Sequence, residues 1–169
     1  MYNLNMSGRL KLLKLEQEGN YLFHGSPDGD IQVLEPKQGK HVPDLSKPDE
    51  TILDGKPAVS TTPYLDFAIF RAIINKKNIP IPFISGFGFK NGKKEFHVSK
   101  KEVLEIAKNK KGFVYVFTKD DFEPYQRGEG INLTQMEWRS HKEVKPVDVI
   151  EVTYEDLSSE EEIEIKQSQ

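Results

Sequence analysis

The chain has 169 residues, no cysteine and a formal net charge of −3, which suits one hydrophobic core and is short for two. The missing thiols exclude a disulfide framework, a cysteine nucleophile and cysteine-ligated zinc or iron–sulfur centres. No apolar run reaches the roughly 18 residues that cross a bilayer, and Met1-Tyr2-Asn3-Leu4 opens no signal peptide, so the expectation is one cytoplasmic domain without membrane contact, or a secreted effector lacking a visible leader.

Charge is unevenly spread. Residues 155–169 carry six acids and one lysine, a local −5, which leaves +2 for residues 1–154. Between Lys76 and Lys111 ten lysines face three glutamates, a local +7. Such a run is either a solvated face or a surface for nucleic acid or an acidic partner.

In chain order, Leu10, Leu12, Leu13 and Leu15 among charged residues predict a short amphipathic helix ending near Gly19. Tyr21-Leu22-Phe23 predicts a strand that delivers His24-Gly25-Ser26 at its end, an imidazole beside backbone that a ligand can approach. Ile31 to Leu34 reads as a short extended piece and residues 36–55, including His41, as a long loop. Ala58-Val59-Ser60-Thr61-Thr62-Pro63 then predicts a strand feeding a buried helix through Ile74, with Thr62 as N-cap, Pro63 at the first helical position and Asp66 complementing the helix dipole. Residues 83–98 read as a hairpin turning at Asn91-Gly92. Ser99 and Glu102 read as a capping box for a helix over Val103 to Ala107. Phe113 to Phe117 predicts a central strand, residues 120–130 a charged loop, and residues 131–140 and 144–152 two further strands. Alternation would put Gln135, Glu137 and Arg139 on one strand face, with Met136 and Trp138 on the other. Residues 1–155 are expected to form the domain and residues 156–169 a flexible acidic tail.

The order strand–His-Gly-Ser, strand–Ser-Thr-Thr–helix, central strand, strand–Gln-x-Glu resembles the ADP-ribosyltransferase superfamily. That superfamily joins poly-ADP-ribose polymerase catalytic domains with bacterial mono-ADP-ribosyltransferase toxins. The resemblance spans Tyr21 to Val152 and implies an α+β fold of two packed, mainly antiparallel β-sheets with peripheral helices. It also implies NAD as co-substrate, no metal, and transfer of ADP-ribose to a protein or nucleic-acid acceptor with release of nicotinamide. By the same resemblance His24 and Glu137 are the catalytic pair. His24, Gly25, Ser26, Ser60, Thr61, Tyr64 and Phe70 bind the dinucleotide, Phe70 standing where a tyrosine stacks on nicotinamide, and Gln135 reads the acceptor. Val59 and Phe67 depart from the polymerase pattern, at a tyrosine and at a carboxamide-binding hydroxyl, and His24 departs from the toxins' arginine. These departures keep a non-catalytic nucleotide- or partner-binding module as an alternative, beside an RNA 2′-phosphotransferase-like or antibiotic-modifying enzyme.

The chemistry fits these residue types. Cleaving the bond from ribose to nicotinamide builds positive charge on the sugar, which one carboxylate beside the ribose stabilises where it develops. An aromatic face orients the flat ring, and an imidazole fixes the distal ribose.

Overall fold

The computed structural model describes residues 6–41, 46–47, 49–53, 55–125, 136–157 and 163–166. Ser7 accepts a hydrogen bond from the Leu10 amide at 3.3 Å and starts helix α1 (Gly8–Glu18), which Gly19 ends in the left-handed conformation at φ 75°. The capping side chain and the left-handed glycine, whose amide donates to the Glu16 carbonyl, each satisfy one of the groups that a helix leaves free at its ends. Strand β1 (Tyr21–Ser26) follows at once.

The main sheet has β1 and β10 (Asp148–Thr153) as edges and β7 (Lys111–Thr118) as centre, all antiparallel. Its residues alternate between two cores. Phe23, Val114 and Val116 join the larger cluster, while Leu22, Tyr115 and Phe117 join a smaller one with Leu34, Val59, Phe122 and Val144. Burial on both faces is why residues 113–117 read as an unbroken apolar run. The buried Tyr115 hydroxyl donates to the Asp28 carbonyl at 2.6 Å and accepts from the Ile31 amide at 3.1 Å, fixing the turn after β1.

Helix α2 (Leu65–Ile73) lies across the larger core, with Phe67, Ile69, Phe70, Ala72 and Ile73 fully buried. It approaches the main sheet closely because Gly25 and Gly112 present no side chain there. A Cβ on Gly25 would meet the Ala68 carbonyl oxygen at 2.0 Å, and one on Gly112 the Ala72 carbonyl oxygen at 2.1 Å. The start of α2 differs from the expectation. Thr62 is held in a ladder with Phe23, so its hydroxyl accepts from the Tyr64 amide before the helix, and the Glu16 carboxylate from α1 accepts from the Leu65 amide at 2.7 Å. Asp66 does more than complement the dipole, since it pairs with Arg9 at 2.6 Å and Lys94 at 2.8 Å. Burial alone would raise Asp66, but the hydrogen bonds from Arg9 and Lys94 outweigh it and hold the carboxyl below its ordinary value.

On the other side of α2 lies a second sheet of β5 (Ser85–Lys90), β6 (Lys93–Val98) and β11 (Ile163–Ile165). The β5–β6 hairpin turns at Asn91 and Gly92, whose φ of 52° and 76° fit the two-residue turn that matches strand twist. Strand β11 pairs parallel to β6 and buries Ile163, so within the C-terminal stretch expected to be flexible, Ile163–Ile165 is corrected to a strand. Helix α3 (Lys101–Ala107) follows β6 without the expected capping box, because the Ser99 hydroxyl accepts from the Ile84 amide at 2.9 Å instead.

A third sheet, β4 (Val59–Thr61), β9 (Trp138–Ser140) and β8 (Glu123–Pro124), sits beside β1, and β2 (Lys40–His41) pairs with β3 (Ile52–Leu53) inside the expected loop. The class is therefore α+β. Among the described residues the expected two packed sheets are three three-stranded sheets and one two-stranded ladder, and α2 is an interior helix, not a peripheral one. Among the described residues no helix is long and apolar enough to cross a membrane.

Candidate functional site

β1 meets β4 through one residue pair, Phe23 with Thr62, whose two backbone hydrogen bonds measure 2.8 and 2.9 Å. Beyond that pair lies a cavity of about 670 Å³, lined by β1, β4, α2, β5 and the segment entering β9. That volume falls in the range of small-molecule and cofactor sites.

Ser60 joins the two residues expected to do the chemistry. The His24 imidazole Nδ1 bonds the Ser60 carbonyl oxygen at 2.8 Å, while the Ser60 hydroxyl donates to Glu137 Oε1. A carbonyl only accepts, so this bond places the proton on Nδ1 and leaves Nε2 as an acceptor with no partner among the described residues. Arg139 Nε donates to the same Glu137 Oε1 at 3.0 Å, and its guanidinium carbon lies 3.5 Å from the centroid of the Tyr125 ring. Among the described residues both side-chain bonds of Glu137 fall on Oε1, so Oε2 remains for a ligand. The backbone is fixed as well: the Tyr125 amide donates to the Glu137 carbonyl at 3.0 Å, and the Thr61 hydroxyl to the Trp138 carbonyl at 2.9 Å.

Burial lowers His24, offset in part by the Ser60 carbonyl and reinforced by nearby Lys37. A folded-state value below the ordinary 6.5 means that as pH falls the unfolded chain takes up this proton first. The stability tied to neutral His24 is thus present above about pH 6.5 and is lost as pH falls through the folded value. An NMR titration of the imidazole, assigned by comparison with His24→Gln, should give a midpoint below about 6.5; a midpoint above it contradicts the buried, neutral tautomer.

His24, Gly25, Ser60, Thr61 and Glu137 all line the cavity, so these expected residues are brought together. Three others are not. Ser26 is buried and its hydroxyl accepts from the Asp28 amide at 3.1 Å, shaping the turn. Tyr64 packs its ring 5.1 Å from Phe89 and 5.7 Å from Phe67, behind the cavity wall. Phe70 is fully buried, 5.2 Å from the Phe96 ring, and cannot stack on a ligand. Gln135 lies outside the described residues, and Met136 lines the cavity beside Glu137, because residues 136–137 form a turn and its exit before β9 and do not alternate as a strand.

Gly25 lines the cavity, and the same missing side chain lets α2 pack closely against β1. The aromatic wall of the cavity is Phe87 and Phe89, both half-buried, with the fully buried Phe67 stacked on Phe87 at 4.7 Å and 19°. Sequence reading missed Phe87, Phe89, Arg71 and Asn75; Arg71 shares an α2 face with Phe67 four residues before it, and Asn75 lies two residues past the end of the helix. The available signal was Arg71 itself, a charge in a helix otherwise apolar on most sides. Comparison with family models, with curated proteins and with solved structures gives no match.

Proposed function

We propose that the chain is an NAD-dependent mono-ADP-ribosyltransferase acting on a protein or nucleic-acid acceptor, with His24 and Glu137 as its catalytic pair. One observation carries the reading: an imidazole from β1 and a carboxylate from far along the chain are both anchored on Ser60 at the wall of one cavity. Neutral Nε2 of His24 accepts from a ribose hydroxyl and holds the adenosine half. The nicotinamide ring packs against the half-buried Phe87 and Phe89 side chains at the cavity wall. As the bond from C1′ to the nicotinamide nitrogen breaks, its electron pair leaves with nicotinamide, and Glu137 Oε2 faces the cationic sugar carbon until the acceptor attacks. Ser60 and Arg139 hold that carboxylate in place beforehand, so little reorganisation is needed at the moment of reaction. The lysines of residues 76–111 favour a polyanionic acceptor over a neutral one.

A second reading, a nucleotide-binding module without turnover, is supported by Phe67 lining the cavity where the resemblance expects a hydroxyl. Nicotinamide release from NAD, measured for the natural chain and for Glu137→Gln, separates the two. Release that depends on Glu137 supports the transferase, and equal, negligible rates support the module.

A further inference from the structure

Among the described residues lining the cavity, only Arg71 and Glu137 are charged. Glu137 is matched by Arg139 at 3.0 Å. Arg71 has no carboxylate partner among the described residues; its contact is the Phe87 ring, whose centroid lies 4.9 Å from the guanidinium carbon. Asn75, two residues past the end of α2, does not engage the Arg71 guanidinium. Its amide nitrogen donates to the backbone carbonyls of Arg71 and Ala72, and its oxygen accepts from the Asn78 amide. Neighbouring cations are already used, Lys77 by Asp28 and Lys94 by Asp66. Arg71 is therefore the one uncompensated charge on the cavity wall among the described residues.

A guanidinium lying on an aromatic face is shielded from water on that side while its in-plane N–H groups stay free. Those donors form a planar fork that fits two oxygens of a phosphate. Phe67, Phe89 and Met136 make the surroundings apolar, which strengthens a charge–charge contact relative to open water. The half-buried Phe87 and Phe89 at the wall suit packing against a flat heterocycle, and the volume of about 670 Å³ suits a nucleotide more than a simple carboxylate.

We propose that Arg71 is the anion-recognition residue of this cavity, and that the ligand presents a phosphate or diphosphate group to it beside Phe87. The inference shares its cavity with the proposed function and rests on that reading only in identifying the group as the diphosphate of a dinucleotide.

The test titrates the full chain, as natural protein, Arg71→Gln and Arg71→Lys, with inorganic pyrophosphate, ADP-ribose and uncharged adenosine. Among the described residues the Arg71 side chain makes no ion pair and its one ring contact is Phe87, so Arg71→Gln should melt close to the natural protein. Arg71→Gln should weaken pyrophosphate and ADP-ribose about tenfold or more, as expected for a lost charge-assisted pair, while adenosine binding is unchanged. Arg71→Lys should recover part of the loss. Unchanged affinity of Arg71→Gln for both anions, or no binding of either anion by the natural chain at millimolar concentration, overturns the proposal. The two readings fail separately. Arg71-dependent pyrophosphate binding with ADP-ribose no tighter supports Arg71 and removes the dinucleotide. NAD turnover with an unchanged KM in Arg71→Gln keeps the transferase and overturns the role of Arg71.

Discussion

Replacing Glu137 by glutamine should lower nicotinamide release about 10²–10³-fold, roughly 3–4 kcal/mol of transition-state stabilisation, the scale seen when one preorganised electrostatic group is removed from a reacting centre. Glutamine keeps the size and can still accept from Ser60 and Arg139, so the fold and the cavity wall remain. What it lacks is the negative charge at the position of Oε2. That charge matters most when the sugar carbon becomes cationic and little in the ground state, so kcat should fall with KM for NAD nearly unchanged. A variant that releases nicotinamide at the natural rate removes Glu137 from the chemistry. A comparable loss in Ser60→Ala, through the freed carboxylate, would show that the hydroxyl acts by positioning Glu137.

Gly25→Ala should cost about 3 kcal/mol, near the upper end for overpacking a core, and lower Tm by roughly 6–12 °C for a chain of this size. The added Cβ would meet the Ala68 carbonyl oxygen at 2.0 Å and the Ala72 amide nitrogen at 2.7 Å. Both are backbone atoms inside a helix, so they move only if α2 moves. That shift would carry Phe67 and Arg71 with it, so ligand affinity should fall together with stability. Were Gly25 instead needed for ligand approach alone, the Gly25→Ala variant would melt like the natural chain and lose only binding. Differential scanning calorimetry beside an NAD titration separates these outcomes.

Where structure is set by neighbours in sequence, the chain could be read directly. Gly19 stops α1, Asn91-Gly92 turns the β5–β6 hairpin, and the apolar run in β7 marks the strand buried on both faces. Where a distant group competes for the same atom, local reading failed. The Ser99 hydroxyl is taken by Ile84, and Thr62 is kept extended by Phe23, so neither caps a helix as its local sequence suggests. Strand β11 went unseen because three residues of Ile-Glu-Ile signal little without β6 beside them. The site shows the same division. His24 and Ser60 stand out as polar residues at strand ends and Glu137 as a carboxylate on an expected strand face, and the structure places the three together. Phe70 and Phe67 could not be ranked, because a helix apolar on most sides does not reveal which face meets the cavity.

The most direct measurement is a crystal structure of the chain bound to NAD. One dinucleotide is expected in the cavity between β1 and β9, with a hydroxyl of the adenine ribose at His24 Nε2, the nicotinamide against Phe87 and Phe89, and its ribose at Glu137 Oε2. NAD bound on another surface, or in this cavity with His24 and Glu137 both out of contact, would contradict this placement.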